Sequence, residues 1–214
     1  MQIKTIIFII LCSISVNSQA ENSWQLEKDE EQIKVFVANK AGSALKSFRG
    51  TMTIPARISS LVAVIEEVQT LPRWLHNCIS ARQLKQISQN ESYNYIVTDM
   101  PWPVADRDTI VHSRLTQNKS SKEVLIKLSA SQKHMPPQQG LVRIKNMTGK
   151  WQLSPVENNS VRVVYEMSVD PGGKIPKWIV NAMVVDIPFY TLQKLRAVVK
   201  EAKYVNASLK NVTE

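Results

Sequence analysis

The sequence predicts an α+β fold in which a curved antiparallel β-sheet wraps around one long C-terminal helix. Apolar and polar residues alternate over several segments, as they do in strands with one buried face. Between residues 55 and 79, and again after residue 175, apolar residues instead recur at helical spacing. Apolar residues make up 43% of the chain and charged residues 21%, which excludes a disordered, collagen-like or coiled-coil protein.

Residues 1–20 are typical of a cleaved export signal. Lys4 lies in a short positive start, residues 5–16 form an apolar run, and Ser18 and Ala20 are small residues before the expected cut. The run is too short for a membrane-spanning helix, which needs about 20 apolar residues. We therefore expect residues 21–214 to form a single domain that is periplasmic or secreted.

The two cysteines fit this interpretation. Cys12 would be lost with the signal, so Cys78 would be alone and no internal disulfide could form. A lipid-modified Cys12 is an alternative, but Ile10 and Leu11 are large where that modification requires small residues. Cys78 lies in an apolar segment, which favours a buried structural thiol over a nucleophile.

The predicted elements follow one another in a simple order. Strands over residues 32–39 and 44–54 come first, then a helix from residue 55 to just before Pro72 and a shorter one around residues 71–79. Six more strands are predicted, over residues 81–87, 93–99, 109–115, 123–131, 141–153 and 161–169. Short, turn-rich links join them, so we expect neighbouring strands to pair antiparallel.

The last predicted element is a long helix over about residues 175–204. Pro176 suits its first turn, whereas Pro188 lies inside it and predicts a kink near residues 184–187. The kink either lets the helix follow the curve of the sheet or serves as the hinge of a lid. A curved sheet around a helix is hard to fill with side chains alone, so we expect an internal hydrophobic cavity. This is the helix-grip arrangement.

Several motifs then carry a family resemblance. They are Trp24, Trp74 with Cys78, PWPVADRD at residues 101–108, GKW at residues 149–151 and DPGGKIPKWIVN at residues 170–181. In this order they resemble the START family, the steroidogenic-acute-regulatory-related lipid transfer domains, from about Trp24 to Lys203. The resemblance implies a hydrophobic tunnel that holds one lipid beneath the C-terminal helix, and most members have no catalytic activity. The wider superfamily includes polyketide cyclases.

The candidate ligand-binding residues combine this resemblance with strand alternation. The prolines around Trp102 hold its indole in a fixed direction. Arg107 faces away from Asp106 and Asp108, and if buried it needs a carboxylate or backbone carbonyls as partners. The predicted ligand-binding residues are Trp102, Arg107, Val111, Ser113, Trp178, Asn181, Met183 and Val185.

The polar end of the ligand stays undetermined at this point. Some relatives place an acid and a base facing each other inside the tunnel, and Asp99 and Arg114 are the nearest candidates here. Alternation from Arg107, however, puts Ser113 rather than Arg114 on the inward face.

No catalytic residue, metal site or cofactor is predicted. The three histidines have no ligand spacing, and Gly172-Gly173-Lys174 lacks the spacing of a phosphate loop, so these glycines are expected to supply positive φ in a turn. The pair Glu66-Glu67 is expected on a solvated helix face.

A rival hypothesis is a cyclase or hydrolase, which would need an inward-facing titratable group. The candidates for that group are His112, Tyr95 and Arg114. A sealed scaffold without a ligand is a third hypothesis.

The charge is strongly basic, with 27 Lys and Arg against 18 Asp and Glu, a net charge of +9. Six of the basic residues crowd the last helix and its approach: Lys174, Lys177, Lys194, Arg196, Lys200 and Lys203. They form either a solvated helix face or a surface that attracts anionic lipid. Since export favours lipid over nucleic acid, the expected partners are a lipid ligand and, transiently, an anionic membrane surface. We expect no nucleic-acid partner and a monomeric state.

Overall fold

The computed structural model describes residues 24–39 and 46–214. The predicted signal peptide lies outside these residues, as do the first two residues of the strand predicted over 44–54. The described strands are β1 Gln25–Glu30, β2 Ile33–Asn39, β3 Lys46–Pro55, β4 Cys78–Ser88, β5 Glu91–Thr98, β6 Arg107–Gln117, β7 Val124–Ser131, β8 Val142–Arg143, β9 Asn146–Val156 and β10 Ser160–Asp170. The helices are α1 Ile58–Glu66, α2 Leu71–Trp74, α3 Lys177–Val198 and α4 Ala202–Val205, with a 3₁₀ turn at Val68–Thr70.

The ten strands of the described residues belong to one sheet. Its order is β1-β2-β3-β10-β9-β7-β6-β5-β4, with every neighbouring pair antiparallel, and β8 pairs in parallel with the start of β6. Helix α3 packs on β2 and β3 and also contacts α2. The α+β helix-grip prediction is therefore confirmed.

Several elements differ from the prediction. The strand predicted over residues 141–153 is divided into β8, which pairs with β6, and β9, which begins at Asn146. The helix predicted from residue 55 to just before Pro72 covers only Ile58–Glu66 and is followed by the 3₁₀ turn.

Strand β1 was not predicted, because its sequence QLEKDE lies mostly exposed and is held at the sheet edge by backbone pairing with β2. The second helix ends at Trp74, since Leu75 is extended and Asn77 has a left-handed φ of 60°. The last helix ends at Val198, because Glu201 is extended and separates it from α4.

The core lies between the sheet and the helices. Helix α1 buries Leu61, Val62 and Val64 completely. Helix α3 runs through Pro188, which is buried against β3 at a point where Gly50 lets the helix approach closely. Cys78 is buried, as predicted, and burial raises the pKa of its thiol to about 11. The hinge role of Pro188 stays a prediction.

The C-terminal residues lie across the start of α1. Both carboxylate oxygens of Glu214 accept hydrogen bonds from the first backbone N–H groups of this helix, at Ile58 (3.0 Å) and Ser59 (3.2 Å). A carboxylate at this position is favoured because the N-terminal end of a helix carries partial positive charge. Thr213 also exchanges hydrogen bonds with Gln117 at the end of β6.

Candidate functional site

A cavity lies between the concave face of the sheet and the helices. Its volume is about 220 Å³. Its wall is mostly apolar and includes Phe48, Leu71, Trp151, Met183 and Ile187. A large apolar concavity with a few polar groups is the usual form of a small-molecule binding site.

Strands β5 and β6 contribute a mixed polar stripe to this wall. Every second residue points into the cavity, so β5 supplies Ser92, Asn94, Ile96 and Thr98, and β6 supplies Arg107, Thr109, Val111 and Ser113. The antiparallel register places Thr98 opposite Arg107 at one end and Ser92 opposite Ser113 at the other. We call these the loop end and the α1 end, respectively.

Four of the eight predicted ligand-binding residues line the cavity: Arg107, Val111, Ser113 and Met183. Trp102 is 90% exposed, in the loop between β5 and β6. Three others on α3 also lie outside the wall: Trp178, Asn181 and Val185. Contact between any of the eight residues and a ligand stays a prediction.

The geometry of a helix explains why Trp178, Asn181 and Val185 lie outside the cavity wall. Val180, Met183, Val184 and Ile187 line the cavity at intervals of three and four residues, which places them on one face of α3. Trp178 lies on another face and is 66% exposed. A shift of one or two positions along a helix turns a side chain by 100° or more, so the sequence could identify the helix more easily than its inward face.

Arg107 ties two loops together at the loop end. Its guanidinium donates to the backbone carbonyls of Ala105, Pro171 (3.3 Å) and Gly172 (3.0 Å), and its side chain is almost fully buried. The prediction that a buried Arg107 needs carboxylate or carbonyl partners is therefore confirmed. Burial lowers the pKa of this guanidinium from its usual value. Gly172 and Gly173 have φ of 65° and 68°, as expected for a glycine turn.

The sequence analysis considered four titratable residues for an acid–base pair in the tunnel or for catalysis, and all four lie outside the cavity wall: Tyr95, Asp99, His112 and Arg114. Arg114 is mostly exposed and donates to Glu91 at 3.0 and 3.1 Å, while Asp99 is exposed. His112 also bonds to Glu91, at 2.7 Å, and the Tyr95 hydroxyl donates to Asp108 at 3.1 Å.

Two adjacent glutamates in α1 and after it have opposite environments. Glu67 accepts hydrogen bonds from Tyr204 (2.5 Å) and Lys203 (2.9 Å), which lower the pKa of its carboxyl. Glu66 lines the cavity, and burial raises the pKa of its carboxyl to about 7. It also borders a small surface pocket with Gln89, in the turn just before Ser92, which places it at the α1 end. The expectation of a solvated face is therefore wrong for Glu66, four residues after the buried Val62.

The cavity wall also contains polar residues that the sequence analysis did not select. Trp74 and His76 line it from α2 and the segment that follows, and Asn94 lines it from β5. Burial lowers the pKa of His76, which favours its neutral form. The preceding helix pattern signalled that Trp74 is buried, but nothing in the sequence signalled that it borders a cavity.

Residues 24–39 and 46–214 contain neither a metal-binding cluster nor a membrane-spanning helix. No described group of three or more His, Cys, Asp or Glu side chains is arranged to hold a metal ion. Within the same ranges, no helix has the length and apolar composition needed to cross a membrane.

Comparison with known proteins identifies the family. The sequence model of the START domain matches residues 13–204. An uncharacterised protein of Pseudomonas aeruginosa is 34% identical over 194 residues, which cover 90% of this chain and 94% of that protein. START domain-containing protein 10 of Mus musculus is 25% identical over 167 residues, which cover 76% of this chain and 56% of that protein.

Solved structures agree with this assignment. The STAR-related lipid transfer protein of Xanthomonas axonopodis superposes with a TM-score of 0.76 at 34% identity, covering 83% of this chain and 99% of that one. Human STARD10 shares the fold, with a TM-score of 0.73 at 20% identity over 86% of this chain and 76% of that one. The chain with this cavity beneath its C-terminal helix belongs to the START domain family.

Proposed function

We propose that this protein binds a hydrophobic lipid in the cavity and carries or transfers it without covalent chemistry. The observation that carries the proposal is the apolar cavity of about 220 Å³ beneath α3. Moving an acyl chain through water costs about 0.8 kcal/mol for each exposed methylene, so a carrier must enclose its ligand. The similarity to a STAR-related lipid transfer protein supports the same conclusion.

The volume suggests the size of the enclosed part. At about 30 Å³ for each molecule of the liquid, a space of this size corresponds to on the order of seven water molecules. A methylene group is similar in size to a water molecule, so the cavity suits a segment of one acyl chain or an equally compact apolar body. A ligand with two long chains would require α3 or its neighbours to move.

The enzyme hypothesis makes a different demand on the same cavity. The groups that the sequence suggested for it, His112, Tyr95 and Arg114, all lie outside the cavity wall. A structural match to the Zhui aromatase/cyclase, with a TM-score of 0.51 at 10% identity, shows a shared fold only. Other titratable groups, such as Glu66 and His76, do line the wall. The similarity to a lipid transfer protein favours a carrier, and a chemical change in a bound ligand would favour an enzyme.

Native mass spectrometry of the purified protein, followed by solvent extraction, tests the proposal. We expect a lipid to co-purify and to be recovered with its covalent structure unchanged. Met183→Trp should fill the cavity and abolish uptake of a fluorescent acyl probe. Asn181→Trp is the matched control, because Asn181 is exposed on another face of the same helix. No bound lipid and no probe uptake would refute the carrier, and a product of altered mass would establish an enzyme.

We also propose that the loop end docks on an anionic membrane surface. Trp102 and Trp178 are both highly exposed near this end, and Lys174 and Lys177 lie exposed beside Trp178 in sequence. Tryptophan is enriched at membrane interfaces, and lysines attract anionic head groups. Docking through these four residues would bring to the membrane the two loops that Arg107 connects, which are the loop before β6 and the loop between β10 and α3.

This proposal uses only part of the basic cluster predicted from the sequence. Helix α3 has 22 residues and is therefore about 33 Å long, so Lys174 and Lys200 lie near opposite ends of it. Lys203 bonds to Glu67, and Arg196 donates to the carbonyl of Glu31 at 2.8 Å. The cluster is thus two separate surfaces, and only the one at the start of α3 adjoins the exposed tryptophans.

We propose, finally, that the protein acts outside the cytoplasm. The support is the sequence of residues 1–20, with its positive start, apolar run and small residues before Glu21. Cell fractionation and N-terminal sequencing test this. We expect a mature chain that starts at Glu21, and a cytoplasmic protein that keeps Met1 would contradict the proposal.

A further inference from the structure

A tyrosine hydroxyl lies in the most apolar part of the cavity wall, which strands β3, β9 and β10 form. The lining residues of these strands include Phe48, Trp151, Tyr165 and Met167. Among the described lining residues of the three strands, only Tyr165 carries a hydroxyl. In a mostly apolar pocket, a few placed polar groups fix the orientation and the specificity of a ligand. The Tyr165 hydroxyl is therefore a candidate for such a group.

The Tyr165 ring is held on two sides by other rings. Trp151, its partner on β9, stacks against it with ring centroids 4.0 Å apart. Phe48 packs edge-on, with centroids 5.2 Å apart. None of the three side chains is more than 5% exposed, and we call them the aromatic floor. Because both neighbours fix the ring, the position of the hydroxyl is set before a ligand binds.

The hydroxyl of Tyr165 has no protein partner and is open to the cavity. No described residue forms a hydrogen bond with it, whereas the Tyr95 and Tyr204 hydroxyls both donate to carboxylates. Its oxygen is also not one of the sealed, unpartnered atoms of the described chain, which belong to Trp74, His76, Asn94 and Arg196. It therefore has surface that a small molecule can touch, and because Tyr165 lines the cavity, that surface lies there.

The chemistry of the hydroxyl selects a neutral oxygen as its partner. Burial, with a smaller effect from the nearby Cys78, raises the pKa of Tyr165 well above its usual value, so the group stays protonated. It can then donate one hydrogen bond and accept another. A buried ion needs an opposite charge, and the aromatic floor supplies none. A hydroxyl or carbonyl oxygen satisfies the tyrosine without this cost.

The hydroxyls of the polar stripe are less suited to this role. Thr98, Thr109 and Ser113 are short side chains, and such hydroxyls rotate to serve neighbouring backbone groups. The Tyr165 hydroxyl lies at the far end of a rigid ring and cannot reach its own backbone. Its partner must therefore come from inside the cavity, as a ligand atom or as water.

We propose that Tyr165 is a specificity-determining residue of the cavity, whose hydroxyl hydrogen-bonds a neutral hydroxyl or carbonyl oxygen in the enclosed part of the lipid. The apolar remainder of that part lies against the aromatic floor. The inference rests on the proposed carrier function and deepens it by naming one contact and the chemical group that makes it. It distinguishes this cavity from one that accepts any hydrocarbon of suitable size.

Displacement of a fluorescent acyl probe by 1-decanol, 2-decanone and decane tests the inference. These ligands have the same number of carbons, and only the first two carry an oxygen. The decisive quantity is the ratio of each ligand's affinity for the unmodified protein to its affinity for Tyr165→Phe. We expect a ratio of about ten for the alcohol and the ketone, since a buried hydrogen bond is worth roughly this factor, and about one for decane. Unchanged decane affinity also shows that the variant keeps an intact cavity.

Two further variants serve as controls. Tyr190→Phe makes the same change on α3 outside the cavity wall and should alter none of the three affinities. The stripe variant, Thr98→Val with Thr109→Val and Ser113→Ala, removes three hydroxyls from the opposite part of the wall. It should keep the selective response to Tyr165→Phe when the two are combined. A selective loss caused by the stripe variant instead of Tyr165→Phe would overturn the inference.

The outcomes separate this inference from the carrier proposal. If no ligand displaces the probe and no lipid co-purifies, the carrier proposal itself fails. If the ligands bind but Tyr165→Phe changes all three affinities equally or not at all, the inference is overturned while the carrier stands. Should Tyr165→Phe fail to fold, the infrared carbonyl band of bound ¹³C-labelled 2-decanone in the stripe variant decides. We expect this band at lower frequency than in a hydrocarbon solvent, and an unshifted band would overturn the inference.

Discussion

Asp108 and Arg143 form a two-point ion pair in which both side chains are buried. Asp108 Oδ1 accepts from Arg143 Nε at 3.0 Å and Oδ2 accepts from Nη2 at 2.8 Å, and the side chains are 0% and 3% exposed. Arg143 also donates to the carbonyls of Met135 and Pro136. The pair joins β8 to β6 and faces away from the cavity, since Asp108 alternates with the cavity-lining Arg107. It holds in place the segment that follows β7.

Removing one partner of this pair should destabilise the folded protein. Asp108→Asn leaves the Arg143 guanidinium buried without an opposite charge, and we expect the free energy of unfolding to fall by about 3–5 kcal/mol. Urea denaturation followed by circular dichroism measures this loss. Glu91→Gln, which breaks the largely exposed contact with Arg114, is the comparison and should cost less than Asp108→Asn. Equal losses in the two variants would contradict the structural role assigned to the buried pair.

The close approach of α3 to β3 predicts a second effect. A methyl group added at Gly50 would lie 2.7 Å from Leu192 Cδ1 and 3.1 Å from Pro188 Cβ. Leu192 is fully buried and the proline ring is rigid, so Gly50→Ala should destabilise the protein by about 1–3 kcal/mol through overpacking. Thermal unfolding provides the measurement. Thr51→Ala, on the opposite face of β3, is the control, and an equally small effect of both substitutions would show that α3 shifts freely.

Glu66 predicts a component of stability that decreases as pH rises. Its pKa is about 7 in the folded protein against 4.5 for an ordinary glutamate, so between these values the folded state binds the extra proton. Stability therefore falls as pH rises through this window, by at most about 3 kcal/mol from this group. Glu66→Gln should remove that slope and stabilise the protein above pH 7, as measured by urea denaturation across the pH range.

The neighbouring glutamate supplies the control for this experiment. The pKa of Glu67 is lowered by its hydrogen bonds from Tyr204 and Lys203, so its contribution is present above its unfolded pKa and is lost as pH falls. Glu67→Gln should therefore destabilise the protein at neutral pH, the opposite sign to Glu66→Gln. If both substitutions changed stability in the same direction, the contrast between the two environments would be wrong.

Membrane docking through the loop end predicts a specific dependence on lipid and salt. Trp102→Ala with Trp178→Ala should weaken binding to vesicles that contain anionic lipid. Lys174→Gln with Lys177→Gln should weaken the free energy of vesicle binding by about 1 kcal/mol for each lysine at low salt and by less at high salt. Lys200→Gln, at the far end of α3, should have little effect. Vesicle co-sedimentation gives these values, and binding that is equally strong without anionic lipid or at high salt would count against docking.

Alternation along the strands predicted one part of the site well. It placed Arg107 and Ser113 on one face of β6, and both line the cavity. The reason is that side chains of a strand alternate with a period of two, so one correct assignment determines the others. The same reasoning could not place Trp102, because a loop between strands has no such period and this indole is exposed.

Hydrophobic periodicity and turn residues are local signals, so they were enough to predict the antiparallel sheet around a C-terminal helix and the order of its elements, apart from β1 and the separate strand β8. Three other properties became visible only in the folded chain: which face of α3 borders the cavity, the opposite environments of Glu66 and Glu67, and the presence of Trp74, His76 and Asn94 in one cavity wall. These properties depend on groups far apart in the chain. Burial and hydrogen bonding are set by what packs against a residue, which its immediate sequence does not record.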